Sequence, residues 1–194
     1  YVDFENPFIT NFENRFESNY ALRTHFNYEK NWNNVSAEWR LGYEGATNPI
    51  YIKNYDNNSG IEGNPQNFDK LRNNSGFYVL SQKLNFNERL FTDISISLNS
   101  NAYKWEKIFP TSETGNVKFK DQWLPNFGMT YVLDKGFSVR GKIGKGNSAP
   151  TNEEIRSSNQ QFNFHLVPEY GWNKEIGVRK QFGNTVFVEL NYFD

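Results

Sequence analysis

The residue types that most often carry chemistry are sparse in this chain and poorly spaced for it. The two histidines, His25 and His165, stand far apart, and there is no Cys. A metal centre needs three or four converging imidazole, thiolate or carboxylate ligands, and neither His has a His or Cys at ligand spacing. Glu153 and Glu154 suggest paired carboxylates for acid/base work, but neighbouring residues of a helix point apart. A structural pattern suits them better. Thr151 and Glu154 have the S/T-x-x-E spacing of a capping box, and Pro150 holds Ala149 extended, which predicts a short helix starting at Asn152. The glycines at 42, 128, 141, 144 and 177 lack the strand, Gly-rich turn and helix that cradle a phosphate, and they predict bends or close backbone approaches instead. Neither an enzyme nor a bound cofactor or metal is expected.

The elements around these residues are predicted from composition and periodicity. The formal net charge is -1, which offers no basic field for nucleic acid. Aromatic residues make up 18% of the chain, yet mean hydropathy is -0.80, and no apolar run approaches the length of a transmembrane helix. Rich in rings yet polar on average is how a transmembrane β-barrel reads, because lipid-facing and lumen-facing residues alternate and cancel. Asn is frequent, about one residue in seven, and Asn favours turns and loops.

About eight segments alternate with period 2, the mark of half-exposed strands. They cover residues 20–29, 35–44, 76–86, 90–99, 123–133, 137–145, 172–182 and 186–193. In the second, Val35, Ala37, Trp39, Leu41 and Tyr43 oppose Ser36, Glu38, Arg40, Gly42 and Glu44. Short turns at 30–34, 85–89, 134–136 and 183–184 alternate with long polar links at about 46–75, 104–122 and 146–171. Up-and-down strands with tight turns at one rim and long loops at the other are the plan of outer-membrane barrels. Alternation alone does not say whether the apolar face points out or in, so a soluble β-sandwich or lipocalin-like barrel that binds a partner fits this pattern too. Tyr20, Tyr28, Tyr43, Tyr103, Trp105, Trp123 and Trp172 are expected near strand ends, at the headgroup level of a membrane. Residues 1–18, with Pro7 and repeated Asn, read as an irregular loop despite Phe4, Phe8, Phe12 and Phe16 recurring every fourth position.

Two blocks near the C-terminus carry a family resemblance. Residues 144–155, Gly-Lys-Gly-Asn-Ser-Ala-Pro-Thr-Asn-Glu-Glu-Ile, precede residues 166–177, Leu-Val-Pro-Glu-Tyr-Gly-Trp-Asn-Lys-Glu-Ile-Gly. In this order, followed by the hairpin pattern of 182–194, they resemble the barrel signature of TonB-dependent outer-membrane receptors. The signature positions are Gly146, Pro150, Thr151, Glu154, Pro168, Glu169, Glu175 and Gly177. The resemblance implies an all-β fold in which residues 19–194 form part of a large up-and-down transmembrane barrel in a bacterial outer membrane. Plug domain and remaining strands would lie outside this chain. It further implies import of a scarce ligand, an iron-siderophore or similar iron complex first and a glycan as the alternative, with outer-membrane lipid, a plug and the TonB complex as partners. For an anionic, often aromatic chelate, the implied loop contacts are Tyr51, Tyr55, Lys70, Arg72, Arg156, Phe162 and Phe164. Glu169, where the 146–171 link turns back into a strand, is expected to lock that link by accepting hydrogen bonds.

Overall fold

The computed structural model describes the backbone of residues 2–7 and, with side chains, residues 11–157, 159–163, 165–183 and 185–194. Eleven strands form one antiparallel sheet among the described residues. They are β1 (Val2–Pro7), β2 (Phe12–Glu17), β3 (Tyr20–Trp32), β4 (Val35–Asn57), β5 (Glu62–Phe86), β6 (Leu90–Phe109), β7 (Glu113–Lys118), β8 (Gln122–Val132), β9 (Phe137–Ser148), β10 (Glu169–Phe182) and β11 (Val186–Phe193). The order is β1-β2-β4-β5-β6-β8-β9-β10-β11. Two strands are assembled in tandem along one neighbour. β3 and then β2 line up along β4, and β8 and then β7 along β6, joined through Phe119, whose N–H donates to the Asn101 carbonyl at 3.0 Å.

All eight period-2 segments are strands, and three strands were hidden. β1 and β2 replace the irregular loop expected over 1–18. A spacing of four fits a strand face as well as a helix face, and in β2 Phe12 and Phe16 stand opposite Tyr55 and Tyr51. Pro7 sits at the last position of β1, where a missing N–H costs little. β7 occupies part of the 104–122 link, and the 46–75 link is the continuation of β4 and β5 around a turn at 58–61. In these extensions polar residues interrupt the apolar ones, such as Ile50, Ile52 and Leu71, so they show no sustained apolar alternation. β4, β5 and β6 run for 23, 25 and 20 residues, whereas about 9–11 cross a bilayer. The excess carries the sheet about 35–50 Å further along the strands.

One face of the sheet is an exposed apolar band. Phe26, Leu41, Leu80 and Ile96 stand side by side across β3 to β6, Phe127 faces Ile143 across β8 and β9, and Val178 faces Leu190 across β10 and β11. All are exposed, from 40% for Ile143 to 76% for Leu190. A soluble sandwich or lipocalin-like barrel buries its apolar face. Here it is the uncovered one, spread over eight strands and far wider than the apolar patches of soluble monomers. Tyr20, Tyr28, Trp123 and Trp172 lie exposed at the edges of this band. On β3 and β8 the aromatic edges Tyr20 to Tyr28 and Trp123 to Tyr131 are each about 27 Å apart along the strand, or about 21 Å along the membrane normal at a tilt of about 40°, close to the height of a lipid-facing belt. Tyr103 and Trp105 differ from the expected girdle. By alternation with Ile96 and Leu98 they point to the opposite face, where Tyr103 is 1% exposed, and both lie on the extended part of β6, above the band. No described helix is long and apolar enough to cross a membrane.

In the full-length protein, Val178→Arg on the band should disfavour bilayer insertion by about 2–4 kcal/mol. Arg179→Ala, one residue along and on the other face, should cost less. Reversible folding into lipid bilayers measures both, and equal costs would contradict this assignment of the faces.

Candidate functional site

The face opposite the band is polar, and its upper half is covered by the link between β9 and β10. Leaving β9 at Ser148, the chain crosses this face toward β4 and β5. Thr151 caps α1 (Asn152–Ile155) with the expected capping box. The Glu154 N–H donates to Thr151 Oγ1 at 3.3 Å, and the Thr151 N–H donates to Glu154 Oε2 at 2.7 Å. The helix ends at Ile155, which is fully buried against Ile50, Ile52 and Leu71 from β4 and β5, with Tyr103 and Phe119 completing the cluster. The buried apolar cluster of the polar face thus lies where the link covers it.

Polar and aromatic contacts fix the same segment at three points. Arg156 is buried, and its Nε donates to Asp69 Oδ2 at 2.7 Å while an Nη donates to Asn54 Oδ1 at 2.7 Å. Asn67 also donates to Asp69, at 2.6 Å, and Glu13 on β2 lies 3.8 Å from the guanidinium. The Tyr103 hydroxyl donates to the Pro150 carbonyl at 2.6 Å and accepts from Asn73 at 3.0 Å. Burial pushes that hydroxyl up to about 12, aided by the nearby charge of Glu153. Further on, Phe162 stacks on Trp105, with centroids 5.0 Å apart and planes at 24°. Trp105 can lie flat there because its cross-strand partner is Gly115, where a Cβ would sit 2.4 Å from the indole.

Below the link the polar face is charged. Arg140 on β9 reaches Glu175 and Glu189 at 2.7 Å each and donates to Asn191 at 3.0 Å. Gly177 makes this possible, since a Cβ there would stand 2.2 Å from Asn191 Oδ1 and 3.0 Å from Arg140 Nε. Glu38, Lys83, Asp93 and Glu29 line the same concavity, about 730 Å³ in volume. Signature positions Glu175 and Gly177 thus have structural roles in this network.

The expected ligand contacts divide. Arg156 and Phe162 come together on the polar face. Tyr51, Tyr55, Lys70 and Arg72 belong to strands β4 and β5 rather than loops, on the same side as the band; Tyr51 is 42% exposed. Lys70 lies over the Tyr51 ring at 5.9 Å. Phe164 lies outside the described residues. Glu169 is exposed at the first position of β10, and no hydrogen bond to its carboxylate occurs among the described residues. Arg156, with Asp69 and Asn54, is the lock that Glu169 was expected to be. Pro168 is half-buried just before β10, and Gly146 has open space around it. The sequence signals missed were Asp69, Asn54 and Trp105, hidden in the segments read as loop. Among the described residues no group of His, Asp and Glu could hold a metal ion.

A family model described as TonB dependent receptor-like, beta-barrel, matches residues 2–194. No curated protein sequence matches the chain. Among solved structures, the ferric citrate transporter FecA in its unliganded form superposes with a TM-score of 0.78 at 13% identity, over 94% of this chain and 28% of that one. The siderophore receptor PiuA from Acinetobacter baumannii gives 0.70 at 11% identity, over 94% of this chain and 32% of that one. The alcaligin outer membrane receptor FauA from Bordetella pertussis gives 0.73 at 13% identity, over 98% and 31%. The chain therefore spans about a third of the length of these proteins.

Removing one partner of a buried ion pair leaves the other charge uncompensated, at a cost of about 3–5 kcal/mol. Arg156→Ala should accordingly expose the 149–168 link to limited proteolysis while leaving the membrane-spanning strands resistant, and Glu169→Gln should leave cleavage unchanged. Tyr103→Phe should produce a milder loosening, about 0.5–1.5 kcal/mol. Because the raised Tyr103 value favours the protonated hydroxyl in the folded state, its contribution is complete below about pH 10 and lost as pH rises toward about 12. Mass-spectrometric mapping of the cleavage sites checks each variant.

Proposed function

The chain belongs to the TonB-dependent receptor-like β-barrel family, and we propose that it forms part of the wall of a bacterial outer-membrane receptor that imports a scarce ligand, with energy supplied through TonB. The observation that carries this reading is the pairing of an exposed apolar band with a polar opposite face partly covered by the link between β9 and β10. The band meets lipid, and the polar face lines the lumen, where a plug domain would sit beside the charged concavity around Arg140. The extended ends of β4 to β6 and the 149–168 link stand at the outer end, and the short turns face the periplasm.

The ligand proposed first is a ferric siderophore or another iron complex, the class named for FecA and PiuA. On this wall it would meet Trp105, Phe162 and Lys107. The ammonium of Lys107 lies 5.9 Å from the Phe162 ring, so a ring and a cation are offered together to an anionic aromatic chelate. A second reading, a glycan, is favoured by a different observation. The wall is rich in carboxamides, with Asn48, Asn73, Asn99 and Asn152 on or against it, and its cations are largely neutralised by Glu and Asp. Amides beside a flat aromatic platform suit neutral hydroxyl-bearing ligands.

Two measurements test this. Cysteine placed at Ile61, in the β4–β5 turn, should react with a membrane-impermeant reagent on intact cells, and one at Asn33, in the β3–β4 turn, should react only after the outer membrane is broken. Labelling of both in intact cells contradicts the orientation. For the ligand, growth of a strain carrying the full-length gene as its sole receptor is compared on ferric chelates and on oligosaccharides. Trp105→Ala should lower uptake about tenfold, the loss of one stacking contact of about 1.4 kcal/mol. Uptake of neither class would contradict the import reading.

A further inference from the structure

On β5 and β6 the apolar band ends at Tyr78 and Leu98, and the same face then turns cationic. Continuing outward, β5 presents Asn74, Arg72 and Lys70, and β6 presents Ala102, Lys104 and Glu106, with Lys118 and Asn116 beside them on β7. Two of the four cations are matched: Lys70 lies 3.3 Å from Glu106 and Lys118 lies 3.6 Å from Asp121. Arg72 and Lys104 are not. Both are exposed, and no carboxylate pairs with either among the described residues. They are also direct cross-strand partners, and in the described registers no other two cations oppose each other. Like charges in that position destabilise a sheet, unless an anion stands between them, in which case the same arrangement becomes a clamp. The planar fork of an Arg and the point charge of a Lys are complementary ways of holding a phosphate.

Height selects the kind of phosphate. Arg72 lies six residues beyond Tyr78, and Lys104 six beyond Leu98. That is about 20 Å along the strand, or about 15 Å along the membrane normal at a tilt of about 40°. The interfacial layer of an ordinary bilayer leaflet is only about 5–8 Å thick, so a glycerophospholipid phosphate lies too low. A phosphorylated saccharide head rises higher. Around the two cations, the carboxamides of Asn74 and Asn116 and the ring of Tyr51 offer hydrogen bonds and a flat face to sugars. We propose that Arg72 and Lys104 clamp a phosphate on the saccharide head of a phosphoglycolipid in the outer leaflet, on the outside of the barrel wall. This rests on the outer-membrane reading above and not on the identity of the imported ligand.

The test uses the full-length receptor in detergent micelles and native mass spectrometry. The probes are a lipid A carrying phosphorylated inner-core sugars, the same glycolipid after phosphatase treatment, and phosphatidylglycerol. Wild type should bind the phosphorylated glycolipid about tenfold more tightly than the other two, and Arg72→Gln with Lys104→Gln should abolish that preference. Unchanged heat-modifiable migration of the double variant on gels confirms that it folds. Equal binding of the dephosphorylated glycolipid, equal binding of phosphatidylglycerol, or a preference that survives in the double variant would each overturn the clamp. Surface labelling at Ile61 reports on the outer-membrane reading separately, so failure of one is distinguishable from failure of the other.

Discussion

Every backbone N–H and C=O inside a hydrocarbon layer must be hydrogen-bonded within the protein, and this sequence meets that constraint with ladders rather than helices. Once the bonds run sideways between strands, successive side chains are forced to opposite faces, and the remaining features follow from the allocation of residues to those faces. Phe26, Leu41, Leu80 and Ile96 make a continuous apolar row only because each is the cross-strand partner of the next. The residues between them deliver Arg40, Ser81 and Ser95 to the other face, in register along the same ladder. A slip of one residue in any pairing would put these groups in lipid, so register is specified by the membrane itself.

Above the membrane that constraint relaxes, and a different interaction takes over. The extensions of β4, β5 and β6 have water available on both sides, so their backbone pairing does not by itself choose what covers the polar face. The choice is made by a small apolar cluster around Ile155 and by Arg156, whose buried guanidinium is matched by Asp69 and Asn54. An ion pair of this kind contributes little net stability compared with an apolar substitute, but it penalises misplacement heavily. It therefore specifies where the 149–168 link lies, and it places Phe162 on Trp105.

The membrane-spanning strands were legible because lipid on one side and polar groups on the other enforce alternation, as in 35–44 and 172–182. The capping box at Thr151 and Glu154 was legible because it is a local pattern of fixed spacing. The strand extensions were not, since residues such as Asn67, Asp69, Lys70 and Arg72 are polar whichever face they occupy, and an Asn-rich stretch reads as loop. The partners of Arg156 were invisible for another reason. Asp69 is distant in sequence, and only the pairing of β4 with β5 and the return of the link bring the two together. Tyr103 and Trp105 were assigned to the membrane edge because their ring chemistry suits it, and only their position along β6 shows that they stand above it.

The central claim is that one face of this sheet meets lipid and the other does not. Spin labels placed singly at residues 78 to 84 of β5, in the full-length protein reconstituted in bilayers, read this directly through collisions with oxygen, which concentrates in lipid, and with a polar nickel chelate, which does not. The account predicts a period of two, with positions 78, 80, 82 and 84 favouring oxygen and 79, 81 and 83 shielded from it. Oxygen access at 79, 81 and 83 instead, or no alternation along the strand, would contradict it.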